Sequence, residues 1–440
     1  MSEYVDISIK KLSLCLFRNY LDSNIVSLFF SNDDLIVIPK CGQNSEDGDY
    51  GDCDEYMYKT TVARAKERFD VLGYSIDNFE KLFNANILQA VDYSAFLHHL
   101  KVDYDDYEEK TLERTKKYIS FKKWKNAMNK IVTYELENGD LRWKETCSDI
   151  SISTECEKVI FYALKDYDVD SFYALCPDVI PEAYVLRLIL ESCANDDEIM
   201  LDFTNLKYWA EDCIPKAKLA TGAIEKIIVL VEGTSDKDIL EYSMKKLYPH
   251  LSDLFYFMDF EDDYGGKREG GTSFIIKNLK TFYFSKLNSK FIAIFDNDAE
   301  GYQSKCALLS EIKKWPDNFR ILLYPEINLF RVYPTLATNG AIMVDNINKK
   351  ACSIELYLPD CIIKENGKYF PIEWEARKKI KKSDGNEEAL YQGMISQKDD
   401  IKKKFHELRK SIEKGEKSFV AEEWARMKKL LDIIIFAFAK

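Results

Sequence analysis

Two short apolar runs that end abruptly at carboxylates stand out in the pattern of hydrophobic and polar positions. Residues 227–231 are all apolar and lead into Glu232, and residues 291–295 are all apolar and lead into Asp296 and Asp298. Uninterrupted apolar runs of this length are typical of strands that are buried on both faces of a parallel sheet. Since ligand and metal sites in such sheets collect at the carboxyl ends of the strands, the pattern predicts that these three acids converge.

The stretch that contains both runs alternates between strand-like and helix-like patterns. Strands are predicted at about 226–232, 254–260, 290–296 and 319–324, and helices at about 236–248, 272–287 and 300–314. Regular alternation of this kind predicts a Rossmann-like parallel sheet with right-handed crossover helices.

The flanking regions show different patterns. Before the parallel-sheet region, the periodicity predicts strands within 5–40, helices at 57–72 and 76–100, and mainly helix over 103–200. After it, the chain is mixed and then helical from about residue 387. The sequence therefore predicts an α/β protein with an α+β N-terminal domain at 1–218, the parallel-sheet domain at 222–350 and a mainly helical C-terminal region at 351–440.

The converging acids indicate metal chemistry. Carboxylates that share one point repel each other, and a hard cation such as Mg²⁺ or Mn²⁺ relieves that repulsion. Asp296 and Asp298 are two residues apart, so on a continuing strand they point to the same side and, with Glu232, can hold one or two ions. With two ions, one activates water and the other stabilises the leaving oxygen of a phosphodiester.

The residues around these acids resemble a known family. Residues 231–236 (VEGTSD) followed by 296–301 (DNDAEG) resemble the Toprim signature, a Glu on the first strand and an Asp-x-Asp on a later one. Their form is most similar to the overcoming-lysogenization-defect nucleases. The resemblance implies a Toprim fold over 222–350 and metal-dependent DNA cleavage, with Glu232, Asp296 and Asp298 as catalytic residues. The plainer alternative is a Rossmann-like sheet whose acidic loops cap helices.

The same resemblance implies two further candidate metal ligands. In related nucleases an acid at the position of Asp236 contributes to metal binding, although Asp236 also suits the first turn of a helix for which Ser235 is the predicted N-cap. Residues 353–358 resemble a downstream acidic segment of nuclease-type Toprim domains, which implies that Glu355 binds a second metal ion. The alternation in that segment fits an ordinary strand or helix start equally well.

The N-terminal part carries a second resemblance. Residues 6–14, 55–61 and 68–74 resemble the HEPN/Toprim-associated N-terminal domain, a module fused to Toprim or HEPN nuclease domains, mostly in prokaryotes. The association of that module with mobile-element and phage-defence systems implies a defence role, but it identifies no catalytic residue. The Arg-to-His spacing of HEPN ribonucleases is absent from the sequence, so ribonuclease activity is not expected.

Two basic stretches are candidates for nucleic-acid contact, and a third is not. Lys267 and Arg268 lie in a Gly-rich stretch before a helix, where backbone amides can bind phosphate; a surface turn is the alternative. Lys122 and Lys123 belong to a basic segment with interleaved aromatic residues, which is typical either of nucleic-acid binding or of an amphipathic helix whose aromatics face the core. The run of lysines at 378–382 is interpreted as a solvated face.

Composition narrows the classes of function. The net charge of −13 argues against a protein that coats nucleic acid nonspecifically, but a metal-neutralised acidic site remains compatible with it. Eleven Cys without a Cys-x-x-Cys pair indicate reduced thiols in a cytoplasmic protein. The longest apolar run, at 430–439, is too short to span a membrane.

Our hypothesis from the sequence is that the chain is a DNA endonuclease that acts in prokaryotic defence against phage or plasmids. No P-loop is present, so any ATPase or sensor partner acts in trans, and a homodimer is compatible with the sequence. One rival is a regulatory or scaffold subunit that binds metal or nucleic acid while a partner does the chemistry. Another is nucleotidyl transfer in place of hydrolysis.

Overall fold

The computed structural model divides the protein into two compact units. It describes residues 4–39, 54–86, 119–138, 151–154, 156–157, 160, 180–204, 206, 224–258, 271–337, 339–381 and 387–439, with only the backbone at 376–381 and 387–390. The first unit comprises Met1–Ile224 with Phe438–Lys440, and the second comprises Glu225–Ala437. None of the described helices has the length and apolar content needed to cross a membrane.

The first unit is built on an antiparallel sheet of five strands in the order β2-β1-β5-β4-β3. The strands are β1 (Tyr4–Ile9), β2 (Leu12–Arg18), β3 (Leu35–Ile38), β4 (Glu55–Thr61) and β5 (Glu198–Asp202). The first three lie in the segment 5–40 predicted as strands, but Ser23–Phe29 within it form a helix, so the prediction is wrong there. The helix predicted at 57–72 is wrong in its first part, because residues up to Thr61 belong to strand β4. Tyr58 and Thr60 are buried while the residue between them is not, and both residue types favour a strand.

Among the described residues of this unit, five helices pack with the sheet. They are α1 (Ser23–Phe29), α2 (Val62–Val71), α3 (Ile76–Ala85), α4 (Phe121–Asn138) and α5 (Glu182–Leu190). In α4 the aromatic residues Phe121 and Trp124 are buried in the core. In the part of the basic segment that the structure describes, the interpretation as an amphipathic helix whose aromatics face inward is therefore confirmed.

The second unit contains the predicted parallel sheet. Its four strands run parallel in the order β10-β8-β6-β7, which places β8 and β6 at the centre. They are β6 (Ile227–Leu230), β7 (Phe255–Met258), β8 (Phe291–Phe295) and β10 (Phe319–Leu323), and the helices between them are α6 (Thr234–Leu247), α7 (Thr272–Phe284) and α8 (Ala299–Glu311). All of these elements lie within a few residues of their predicted positions.

The apolar side chains of the central strand explain why this sheet forms. Every residue of β8 is buried, as its uninterrupted apolar sequence predicts. On one face Phe291 stacks between Phe282 and Phe319, with ring centroids 4.7 Å and 5.0 Å away. This packing fixes the strand and therefore the position of the acids that follow it.

A second sheet and a group of short elements complete the unit. The sheet has the order β12-β11-β16-β17, and two-stranded pairs form between β9 and β13 and between β14 and β15. The strands are β9 (Asn297–Asp298), β11 (Tyr333–Leu336), β12 (Ile342–Asp345), β13 (Ala351–Cys352), β14 (Lys364–Glu365), β15 (Lys368–Tyr369), β16 (Ile372–Lys381) and β17 (Glu387–Ile395). The helices are α9 (Asp360–Ile363), α10 (Lys398–Glu413) and α11 (Ala425–Ile435).

The predicted start of helix at residue 387 is wrong. Residues 387–395 form β17, and the helices begin only at Lys398. The first half of the segment has residues that are acceptable in a helix, but pairing with β16 along its whole length overrides that weak preference.

Candidate functional site

The first two predicted acids meet at the carboxyl edge of the parallel sheet. Asp296 follows β8 directly, and Glu232 lies two residues beyond the end of the neighbouring strand β6. The backbone N–H of Asp296 donates a hydrogen bond to Glu232 Oε1 at 3.0 Å. Adjacent strand ends therefore hold these acids together, although 64 residues separate them in the sequence.

Asp298 is fixed by the elements on either side of it. It lies in β9, which pairs with β13, and it is the N-cap of α8, where its Oδ1 accepts from the N–H of Gly301 at 2.7 Å. The side chain of Gln392, from β17, donates to Asp298 Oδ2. A Cβ at Gly301 would lie 2.3 Å from the carbonyl oxygen of Asp296, so only glycine lets the helix begin this close to the acids.

Glu355 lies in a 3-10 helix and is 1% exposed. Ser353 Oγ donates to its Oε2 at 2.6 Å. The first turns of α10 bring Lys398 Nζ to 3.2 Å and Lys402 Nζ to 4.0 Å from its Oε1. Burying a carboxylate without a cationic partner costs free energy of folding, and the positive charges of the two lysines offset that cost.

Asp236 lies in the first turn of α6 and is buried. The helix begins at Thr234, and its N-cap is Gly233, whose backbone is extended. The prediction that Ser235 caps this helix is therefore wrong, because Ser235 already lies inside it. Burial and, after it, the charge of Glu355 raise the pKa of Asp236 to about 7, against the opposing effect of Lys398 and Lys402. Asp236 and Glu355 therefore share one electrostatic environment.

The same environment includes the other acids. Burial raises the pKa of Glu232 to about 8, with further contributions from Asp298 and Asp236, while the hydrogen bond from the Asp296 amide acts in the opposite direction. Burial, followed by the charge of Glu232, raises the pKa of Asp296 well above its ordinary range. The charges of the other four predicted metal-binding acids all act on Asp296, and the five are called here the carboxylate cluster: Glu232, Asp236, Asp296, Asp298 and Glu355.

The donor set of the carboxylate cluster suits a hard divalent cation, although its side chains are not arranged around one. Within the described part of the chain, no three His, Cys, Asp or Glu side chains form a ready metal site. Glu232, Asp298 and Glu355 each direct a carboxylate oxygen toward a protein donor instead. By contrast, Asp296 Oδ1 is buried and has no hydrogen-bond partner. An orphaned oxygen among like charges fits Mg²⁺ or Mn²⁺, provided that neighbouring side chains reorient.

Several residues of this site escaped sequence reasoning. Lys398 and Gln392 come from segments far along the chain, and no local pattern marks them. Tyr324 follows β10 directly and is fully buried; burial raises its pKa, with added effects of Asp236, Asp296 and Glu232. The rule that strand ends form the site would have found Tyr324.

The residues predicted to bind nucleic acid fall in the first unit or outside the described residues. Lys122 and Lys123 are exposed on α4 of the first unit. Lys267 and Arg268 lie outside the described residues. Their contact with nucleic acid stays a prediction.

Comparison with known proteins concerns the first unit. The model of the family HEPN/Toprim N-terminal domain 1 matches residues 1–222, half of the chain. The chain belongs to this family. The match coincides closely with the first unit, so the HEPN/Toprim N-terminal domain is the five-stranded unit described above. No curated protein and no solved structure matches the chain. The protein is therefore HEPN/Toprim-associated, which gives it a link to nucleases, while the carboxylate cluster lies outside the matched residues.

The raised pKa values predict that the metal-free protein is less stable at high pH. The folded-state pKa values of Glu232 (about 8) and Asp236 (about 7) lie above the ordinary values of about 4. Their contribution to stability is therefore complete below about pH 4 and is lost as the pH rises through 7 to 8. Urea denaturation in EDTA should show a loss of about 5 kcal/mol of unfolding free energy between about pH 5.5 and pH 8.5.

A matched pair of variants checks the origin of this loss. Asp296→Asn removes a neighbouring charge from the carboxylate cluster and should reduce the loss. Asp317→Asn changes an exposed carboxyl group and should behave like the unaltered protein. Equal pH dependence in all three proteins would contradict the explanation.

Proposed function

We propose that the second unit is a Toprim-type nuclease domain that hydrolyses phosphodiester bonds of DNA with Mg²⁺ or Mn²⁺. One observation carries this proposal. Glu232 follows strand β6 and Asp296 follows the neighbouring parallel strand β8, and the backbone N–H of Asp296 donates a hydrogen bond to the Glu232 carboxylate. The orphaned Asp296 Oδ1 supports a cation at this position. The HEPN/Toprim N-terminal domain in the other half of the chain supports the association with a nuclease.

The acids of the carboxylate cluster have distinct parts in this proposal. Glu232, Asp296 and Asp298 are the principal ligands, and Glu232 is also placed to accept a proton. Asp236 and Glu355 are the additional ligands if a second ion binds. The bound metal supplies Lewis-acid chemistry and activates water at neutral pH.

Lys398 adds a fixed positive charge to the site. Burial alone would lower its pKa, but Glu355 and Asp296 raise it overall, so the amine stays protonated. An ammonium group beside the acids can stabilise the negative charge that develops on a phosphate in the transition state. In this proposal Lys398 therefore contributes to the reaction as well as to the stability of Glu355.

The biological setting follows from the same family association. The proposed role is prokaryotic defence against phage or plasmids in the cytoplasm. An ATPase or sensor protein supplied in trans would control the activity, and a homodimer is compatible with it.

Plasmid cleavage is the direct test. We expect the purified chain to nick or linearise supercoiled plasmid when Mg²⁺ or Mn²⁺ is added and to be inactive in EDTA. The products are separated on an agarose gel, and the double variant Asp296→Ala/Asp298→Ala serves as the inactive control. Cleavage by that variant equal to cleavage by the unaltered chain would overturn the assignment.

A second candidate function is a regulatory subunit whose carboxylate cluster does not catalyse. The closed arrangement of the site favours it, because Glu355 is paired with two lysines and no metal site is preformed among the described residues. Calorimetric titration with Mn²⁺, combined with cleavage assays, separates the two candidates. Metal binding without cleavage of plasmid, single-stranded DNA or RNA would favour the regulatory subunit.

A further inference from the structure

Strands β16 and β17 form a long ribbon that extends beyond the sheet from which it starts. They pair from Ile372 with Ile395 at the base to Lys381 with Glu387 at the outer end. In the described residues, β16 pairs with β11 only at its first position. Since a strand rises about 3.3 Å per residue, the ribbon is about 30 Å long. We propose that this ribbon, which we call the hairpin arm, holds the sugar-phosphate backbone of DNA against the carboxylate cluster.

The base of the hairpin arm is part of the site. Gln392 donates to Asp298, and the N–H of Gly393 donates to the carbonyl of Lys350 at 3.1 Å. A Cβ at Gly393 would lie 2.5 Å from Ala351 Cβ, so glycine lets β17 pack directly on β13, the strand that pairs with β9. DNA lying along the arm therefore leads to Asp298.

The outer half of the hairpin arm carries the charge that suits phosphates. In this half, β16 carries four cationic residues and β17 carries two acidic ones, so the net charge is 4 − 2 = +2, whereas the whole chain has a net charge of −13. The six residues are Arg377, Lys378, Lys379, Lys381, Glu387 and Glu388. Lys381 lies six residues beyond Glu375, the pairing partner of Gln392, and so about 20 Å along the strand. That span is long enough to reach several phosphates on one side of a scissile bond.

The inner half of the hairpin arm offers an aromatic surface. Tyr391 is 57% exposed, and with Trp374 it lines a groove of about 560 Å³. Asp345 and Glu373 also line this groove, so a phosphate is disfavoured there, whereas a base can stack on the aromatic ring. A cationic stretch next to an exposed aromatic ring suits a surface that binds a nucleic-acid strand.

This inference rests on the proposed function, and DNA binding without cleavage tests it separately. Fluorescence anisotropy of a labelled duplex longer than the arm would be measured in EDTA with the full chain. We expect Lys378→Glu/Lys379→Glu to bind at least about tenfold more weakly and to reduce the slope of log K against log salt by about 2. Lys410→Glu/Lys414→Glu makes the same charge change at exposed lysines near the other end of α10 and should bind like the unaltered chain.

Two further variants keep the test decisive. Lys378→Gln/Lys379→Gln repeats the test with a milder change if the reversed charges prevent folding. Tyr391→Ala should weaken binding about fivefold and leave the salt slope unchanged, because stacking releases no counterions. Affinity that is unchanged in both lysine variants would overturn the role of the hairpin arm and leave the nuclease proposal standing. An unaltered chain that binds no DNA would overturn both.

Discussion

Replacing Asp296 with asparagine should reduce metal-dependent cleavage about a thousandfold while the protein stays folded. Asp296 is at the centre of the carboxylate cluster, and its Oδ1 is the buried oxygen that has no protein partner. The amide has the same shape but carries no negative charge and binds a divalent cation poorly. Initial rates of plasmid nicking at saturating Mg²⁺ measure the effect.

The stability of the same variant separates catalysis from folding. Because asparagine removes a charge that the buried cluster disfavours, Asp296→Asn should be at least as stable as the unaltered chain without metal. Added Mn²⁺ should raise the melting temperature of the unaltered chain and of Asp317→Asn but not that of Asp296→Asn. Retention of full cleavage by Asp296→Asn would show that any nuclease activity arises outside this cluster.

The acids at the strand ends were predictable because burial leaves a clear trace in the sequence. The apolar run of β8 requires a strand that is buried on both faces, and the position of Asp296 at its carboxyl end follows from that alone. Asp298 and Glu232 were found by the same reasoning. Their convergence depends only on β6 and β8 being neighbours in a parallel sheet.

The rest of the site depends on packing between segments that are distant in the sequence. Gln392 reaches Asp298 only because residues 387–395 pair as β17, where local preference allowed a helix. Lys398 belongs to α10 and reaches Glu355 only because this helix packs on the 3-10 helix at Ile354–Tyr357. A single sequence contains no periodic signal for such contacts.

The two halves of the chain support function in different ways. The HEPN/Toprim N-terminal domain is shown by its family match, and it contributes an association rather than a reaction. The family match ends at residue 222, and the case for the second unit rests on its geometry and electrostatics: parallel strand ends, five acids in one electrostatic environment and an orphaned carboxylate oxygen. Experiments on the second unit are therefore the ones that decide the activity.

Replacing Lys398 with alanine should reduce the rate of cleavage at saturating DNA about a hundredfold. It should also lower the unfolding free energy by about 2 kcal/mol, because Glu355, which is 1% exposed, loses its nearest cation. The loss of unfolding free energy is smaller than the loss expected when a fully buried ion pair is broken, because the Lys398 side chain is 32% exposed and Lys402 remains 4.0 Å from the Glu355 carboxylate. Urea denaturation and plasmid nicking measure the two effects.

A double variant distinguishes the structural role of Lys398 from its chemical role. In Lys398→Ala/Glu355→Gln the buried charge is neutralised, so the unfolding free energy should return to within about 0.5 kcal/mol of the unaltered value. Cleavage should stay low, because neither the cation nor the acid has been restored. Lys398→Arg keeps the positive charge and should retain more activity than Lys398→Ala. If the double variant recovered both stability and cleavage, Lys398 would serve only to balance Glu355, and the positive charge would have no part in the reaction.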